Sequence, residues 1–202
     1  MKAYGWMALA VASGLSTLSC TPDWAKNGEA PVILLMTAIN GGVPLDSDVR
    51  ISNGGICPDF VSLRLENHFK NPNLTNTGFR HDITVERYEV HYFRSDGHNT
   101  EGVDVPFAIT GNVAQEVVEE SASSLIIEVV RRQAKAEPPL ANLKTGGQES
   151  IFTAFAEVTL HARTTTGQVT NPATARLQID FANFGDTLTA CPAAPTGGGS
   201  GT

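Results

Sequence analysis

The sequence predicts an all-β domain, an antiparallel sandwich of about seven strands, on three observations. Apolar and polar residues alternate at period two over 60–69, 152–162 and 173–181, the pattern of strands with one face buried and one wet. Glycine, proline and asparagine interrupt such runs at fairly regular intervals, as turns between short strands require. The chain has 202 residues, 41% hydrophobic and 17% charged, which suits one globular domain, is too apolar for disorder and is too mixed for a polytopic membrane protein.

Taken in order, the first strand is expected over 32–39, a continuous apolar run that stops at Asn40-Gly41-Gly42, a turn signal. The second, 60–69, sets Val61, Leu63, Leu65 and Phe69 against Ser62, Arg64, Glu66 and His68. The third, 83–94, is rich in β-branched and aromatic residues. Its apolar phase changes from Ile83 and Val85 to Tyr88, Val90 and Tyr92, which predicts a bulge at Glu86–Arg87. A short strand over 103–109 contains Pro106 and is expected at an edge. The segment 113–134 is ambiguous. Val118, Ala122, Leu125 and Val129 follow a helical spacing, yet Ile126, Ile127, Val129 and Val130 are β-branched and Ser121, Ser123 and Ser124 suit a helix interior poorly. A strand over 125–133 is the favoured reading.

The last two strands, 151–163 and 169–182, flank Thr164-Thr165-Thr166-Gly167-Gln168 and read as a hairpin. Leu177 and Ile179 are expected inside, Arg176 and Gln178 outside. Seven short strands in about 150 residues predict an immunoglobulin-like or fibronectin-III-like layout. The domain is placed at 31–187, after a polar tether at 20–30 and before a low-complexity tail at 188–202 ending in PAAPTGGGSGT.

The first nineteen residues differ from the rest. Lys2 supplies a positive start, and a short apolar stretch over 6–15 follows, too short to span a membrane and suited to a secretory signal peptide. The run Leu15-Ser16-Thr17-Leu18-Ser19-Cys20 resembles a bacterial lipoprotein signal, with Thr17 and Leu18 exchanged relative to the usual order. The resemblance implies cleavage before Cys20, acylation of that residue, and, from Thr21 beside it, outer-membrane sorting. An ordinary signal peptide cut nearby is the alternative.

Three cysteines are present, Cys20, Cys57 and Cys191. With Cys20 acylated, an even pair remains in an oxidising compartment. Cys57 and Cys191 each precede a proline and lie outside the expected strands, so a Cys57–Cys191 bridge pinning the C-terminal end to the body is expected. Two separate thiols are the alternative. Neither lies where the inter-sheet bridge of antibody domains would be.

Function is less legible. A net charge of −7, from 14 Lys+Arg against 21 Asp+Glu, argues against nucleic acid as a partner, because phosphate contacts dominate that affinity. The sequence holds no HExxH, GxSxG elbow in the mature chain, P-loop or GxGxxG. His68, His91 and His161 fall on strands as solvent-facing side chains. The loop 95–104 offers Asp96, Asn99, Glu101 and Asp104, hard oxygen donors of the type calcium takes, although their spacing departs from the EF-hand. A plain turn explains the same residues. Glu116, Glu119 and Glu120 read as a solvated acidic face, and Tyr88 and Tyr92 as core residues. Asn73-Leu74-Thr75 matches a glycosylation sequon.

The stretches YEVHYFRSDGHNTEGVDVPF (88–107), VVRRQAKAEPPL (129–140) and FANFGD (181–186) resemble a class of bacterial lipoproteins with an immunoglobulin-like β-sandwich domain. No catalytic residues are assigned to that class, so the resemblance implies no site. The expectation is a non-enzymatic, cofactor-free interaction or envelope-assembly module, lipid-anchored at the outer membrane and meeting another envelope protein. A calcium-dependent adhesive module and an exported enzyme with a dispersed site are the alternatives.

Overall fold

The computed structural model describes residues 30–71, 73, 80–145, 150–185 and 188–193. Strand β1 (Val32–Ile39) ends at a 3-10 turn over Asn40–Gly42. There Asn40, Gly41 and Gly42 have φ of 51°, 64° and 82°, a left-handed run in which two glycines avoid the Cβ clash. The turn carries the chain to β2 (Leu45–Asp48), in the other sheet. Strands β3 (Asp59–Phe69), β4 (Ile83–Phe93), β5 (Ile109–Val117) and β6 (Ala122–Val130) follow. A one-turn helix α1 (Arg132–Ala136) and a 3-10 segment (Leu140–Thr145) lead to β7 (Phe152–Thr164) and β8 (Ala173–Ala182).

The strands form two sheets, ordered β1-β3-β6 and β2-β8-β7-β4-β5. All pairs are antiparallel except β2 with β8, which is parallel. The first part of the chain is therefore divided between the sheets, and the last strand runs beside its second half. This is an all-β, immunoglobulin-like sandwich, with β8, β7 and β4 central in the larger sheet.

The inner faces meet as period two demands. Val61, Leu63, Leu65, Leu125, Ile127 and Val129 from the smaller sheet pack against Val85, Tyr88, Val90, Val158, Leu160 and Ile179 from the larger. Burial of each large side chain contributes about 1.5–3 kcal/mol. The bulge lies where the phase change put it, between Val85 and Arg87 on β4. Tyr88 and Tyr92 are buried, and the Tyr92 hydroxyl donates to the Val129 carbonyl. Asn67 continues the inward row of β3 as a fully buried polar residue. Its Nδ2 donates to the His81 and Val117 carbonyls at 2.9 and 3.1 Å, tying the entry of β4 to the end of β5.

Four expectations are corrected. The described residues form eight strands rather than seven, the additional one being β2, whose four residues LDSD carry little alternation. The segment 103–109 is not a strand: Gly102 has φ 74° and Pro106 offers no N–H, so 100–105 forms a tight turn and the strand begins at Ile109. The ambiguous segment is β5, a turn with Glu120 at φ 52°, β6 and α1, so β6 starts three residues before its expected 125 and ends at Val130. The last strand begins at Ala173, not 169, because Pro172 cannot donate to a ladder. The signal peptide, Cys20 and most of the tether lie outside the described residues.

Candidate interaction face

The larger sheet turns a patterned surface to solvent. After the bulge, β4 points Arg87, Glu89, His91 and Phe93 outward, because Tyr88, Val90 and Tyr92 take the core side. The same parity places Phe155, Glu157, Thr159, His161 and Arg163 of β7 outside, and Thr174, Arg176 and Gln178 of β8. The register sets Phe93 opposite Phe155, His91 opposite Glu157 and Glu157 opposite Arg176.

Two half-buried phenylalanines lie near one end of this face. The Phe93 and Phe155 rings stack at 5.4 Å between centroids and 22° between planes. The Arg176 guanidinium stands 5.0 Å from the Phe93 centroid and its Nε donates to Glu157 Oε2 at 2.8 Å. A guanidinium held over a ring and fixed by a carboxylate is a rigid, amphipathic element.

Along the strands from this pair, Glu89 gathers three cations or potential cations. Arg87 Nη2 lies 3.1 Å from Glu89 Oε1, His161 Nε2 3.4 Å from the same oxygen, and His91 Nε2 3.8 Å from Oε2. His161 Nε2 is shielded from solvent and makes no hydrogen bond, so this contact is a distance for ion pairing without hydrogen-bond alignment. Beside the bulge, Glu86, Arg87, Asn112, His161 and Arg163, with Val169 and Pro172, line a cleft of about 440 Å³. Arg163 Nε lies 3.2 Å from Glu86 Oε2.

The cysteines join as expected. Cys57 and Cys191 form a disulfide with Cα atoms 5.2 Å apart, within the usual range. The adjoining segment, placed at the head of the tail by the sequence, runs against the 51–57 loop. Ser52 Oγ donates to the Leu188 carbonyl at 2.7 Å and Asn53 Nδ2 to that of Thr189.

The 95–104 loop does not gather its oxygens around one point. Arg94 holds the Asp96 carboxylate, and that hydrogen bond lowers its pKa to about 2. Asn99 Oδ1 accepts from the Arg94 amide at 2.7 Å, and Asp104 Oδ2 from Thr100 at 3.1 Å; Glu101 is exposed. Among the described residues no three His, Cys, Asp or Glu side chains gather where one metal ion could be held.

The acidic cluster is more than a solvated face. Glu119 Oε2 accepts from the His81 amide at 2.8 Å, and Glu120 Oε1 from that of Phe69 at 3.1 Å. His68 lies between Glu66 and Glu120, at 3.1 and 3.4 Å, and these partners raise its pKa. The sequon extends outside the described residues.

No family model and no curated protein matches the chain. Among solved structures it is similar to the ASH/PapD-like domain of human CEP192 (PapD-like domain 7), at 10% identity over 89% of this chain and 99% of that one, with a TM-score of 0.32. It is also similar to the CooA pilin subunit from enterotoxigenic Escherichia coli, at 12% identity over 76% and 98%, with a TM-score of 0.25. The assignment of the fold rests on strand order and register, not on these likenesses.

Proposed function

We propose that the protein is a non-enzymatic interaction module, anchored by lipid on Cys20 at the outer membrane of a bacterial envelope, that presents the outer face of its larger sheet to another envelope protein. The observation that carries this reading is the stacked Phe93–Phe155 pair with Arg176 fixed above it. Aromatic residues and arginine are the types that dominate binding energy in protein interfaces, and here they sit on adjacent rigid strands. The surrounding His91, Glu157 and Gln178 give the patch a polar rim. The disulfide supports an oxidising compartment, and the leader supports export with an acylated cysteine.

The test is site-specific photocrosslinking in a cell that exports the chain. A probe at Gln178 or Thr159 should yield a discrete adduct with an envelope protein, and a probe at Arg64, on the outer face of the smaller sheet, should not. Equal labelling from both faces would refute the assignment of the face. Cys20→Ser should move the protein from the membrane pellet to the soluble fraction; unchanged pelleting would refute the anchor.

A further inference from the structure

A second polar cluster lies inside the sandwich, near the disulfide. Lys135, on α1, is 1% exposed, and Ser47, on β2, is fully buried. Lys135 Nζ donates to the Asp48 carbonyl at 2.8 Å and to Asp59 Oδ1 at 2.9 Å, and lies 2.8 Å from Asp59 Oδ2. Ser47 Oγ donates to Asp59 Oδ2 at 2.5 Å. An amine within hydrogen-bond distance of both carboxyl oxygens is held against the carboxyl group, and a turn of that group about its Cβ–Cγ bond presents the face of the carboxyl carbon to the nitrogen. Three separate elements hold these groups together, and Lys135, 1% exposed, cannot swing into solvent without opening the fold.

We propose that Lys135 and Asp59 condense to an intramolecular amide that joins α1 covalently to the start of β3. The ammonium first passes one proton to the carboxylate, leaving an amine and a carboxylic acid. Burial favours this neutral pair, because it removes two charges from a low-dielectric site, and burial also pushes the Asp59 pKa upward, with Lys135 opposing in part. The nitrogen lone pair then attacks Cγ, forming the N–C bond. The negative charge collects on Oδ2, where the Ser47 hydroxyl is already placed to donate. A second proton moves from nitrogen to Oδ1, the Cγ–Oδ1 bond breaks, and Oδ1 leaves as water. One amide forms, one water is released, and no oxidant, reductant or co-reactant is used. Effective molarities of about 10⁵–10⁸ M for well-oriented groups favour condensation over the separated pair.

The test is the intact mass of the full-length purified protein after reduction of the disulfide. The expected mass is that of the processed sequence less one water, and a proteolytic map should contain one branched peptide joining the segments around Asp59 and Lys135. Lys135→Arg should restore the full mass. An unmodified wild-type mass would overturn the proposal. So would a loss of water that persists in Lys135→Arg, which would place the dehydration elsewhere, as in a succinimide at Asp96-Gly97. The wild-type mass and peptide map decide the question even if the variant folds poorly.

Discussion

Replacing Cys57 and Cys191 together by serine should cost the fold about 5 kcal/mol. The bridge joins residues 134 apart. In the chain-entropy model a loop of that size removes roughly 17 cal/mol/K from the unfolded ensemble, about 5 kcal/mol at 25 °C. The segment it fixes is also held by hydrogen bonds from Ser52 and Asn53 to the Leu188 and Thr189 carbonyls. With an m-value of about 2 kcal/mol/M, the urea midpoint should fall by about 2.5 M. Far-UV circular dichroism of the oxidised wild type and the double variant measures the shift, and wild type under reducing conditions should follow the variant. A fall of less than about 0.5 M would refute the reasoning. It would mean that the chain beyond Ala182 detaches before the sandwich unfolds, so that the bridge does not cross-link the cooperative unit.

Three further outcomes follow from the packing. Leu177→Ala, at a 2% exposed position, should cost about 2–5 kcal/mol, and Arg176→Ala, on the wet face, under about 1 kcal/mol; equal losses in urea melts would mean that β8 is out of register by one residue. Gly111→Ala should cost about 1–3 kcal/mol by overpacking, because a Cβ there would lie 2.3 Å from Tyr88 Cε1; an unchanged melting temperature would contradict the placement of that ring. His68 has its pKa raised from 6.5 by hydrogen bonds to Glu66 and Glu120, so its contribution is fully present below about pH 6.5 and lost as pH rises through the higher folded value. The effect is small at an exposed site, and His68→Gln should abolish that part of the pH dependence of the urea midpoint.

What was legible in the sequence was the part governed by period two. Strands β3, β4, β7 and β8 bury one side chain in two, and the alternation of Leu63, Leu65, Leu177 and Ile179 survives translation into structure because each row faces the same core. Even the bulge was visible, since one extra residue must shift the phase. Strand β5 was not, because its inward row, Ile109, Gly111, Val113, Gln115 and Val117, is broken by a glycine and a glutamine; its place is secured by pairing with β4 and by the glycine that admits Tyr88, neither of which leaves a hydrophobic pattern. The strand β2 is short and paired in parallel with a strand more than a hundred residues away, so no local signal could announce it.

The chemistry was less legible than the fold for a related reason. Phe93 and Phe155 occupy positions where alternation calls for polar or small residues, so they read singly as exceptions to a pattern, and Arg176 reads as an ordinary outward residue. Only the antiparallel registers of β4 with β7 and of β7 with β8 bring the three onto one patch. Lys135, Asp59 and Ser47 come from a one-turn helix, a strand start and an edge strand, with no spacing to connect them. Lysine is among the residues least often buried, and its sequence neighbours Arg131 and Arg132 suggest a solvated stretch. Its burial follows instead from α1 placing it against the end of β2 and the start of β3, where the Asp48 carbonyl and Asp59 Oδ1 accept its two hydrogen bonds and Asp59 Oδ2 lies within ion-pair distance. Both clusters are thus products of topology acting on residues whose local sequence is uninformative. Their substitution should separate cleanly from the core: changes at Phe155 or Arg176 should alter binding with little loss of stability, whereas removal of Asp59 leaves Lys135 without its carboxyl partner at a 1% exposed position, a change that should cost about 3–5 kcal/mol, as when a buried pair is broken from one side.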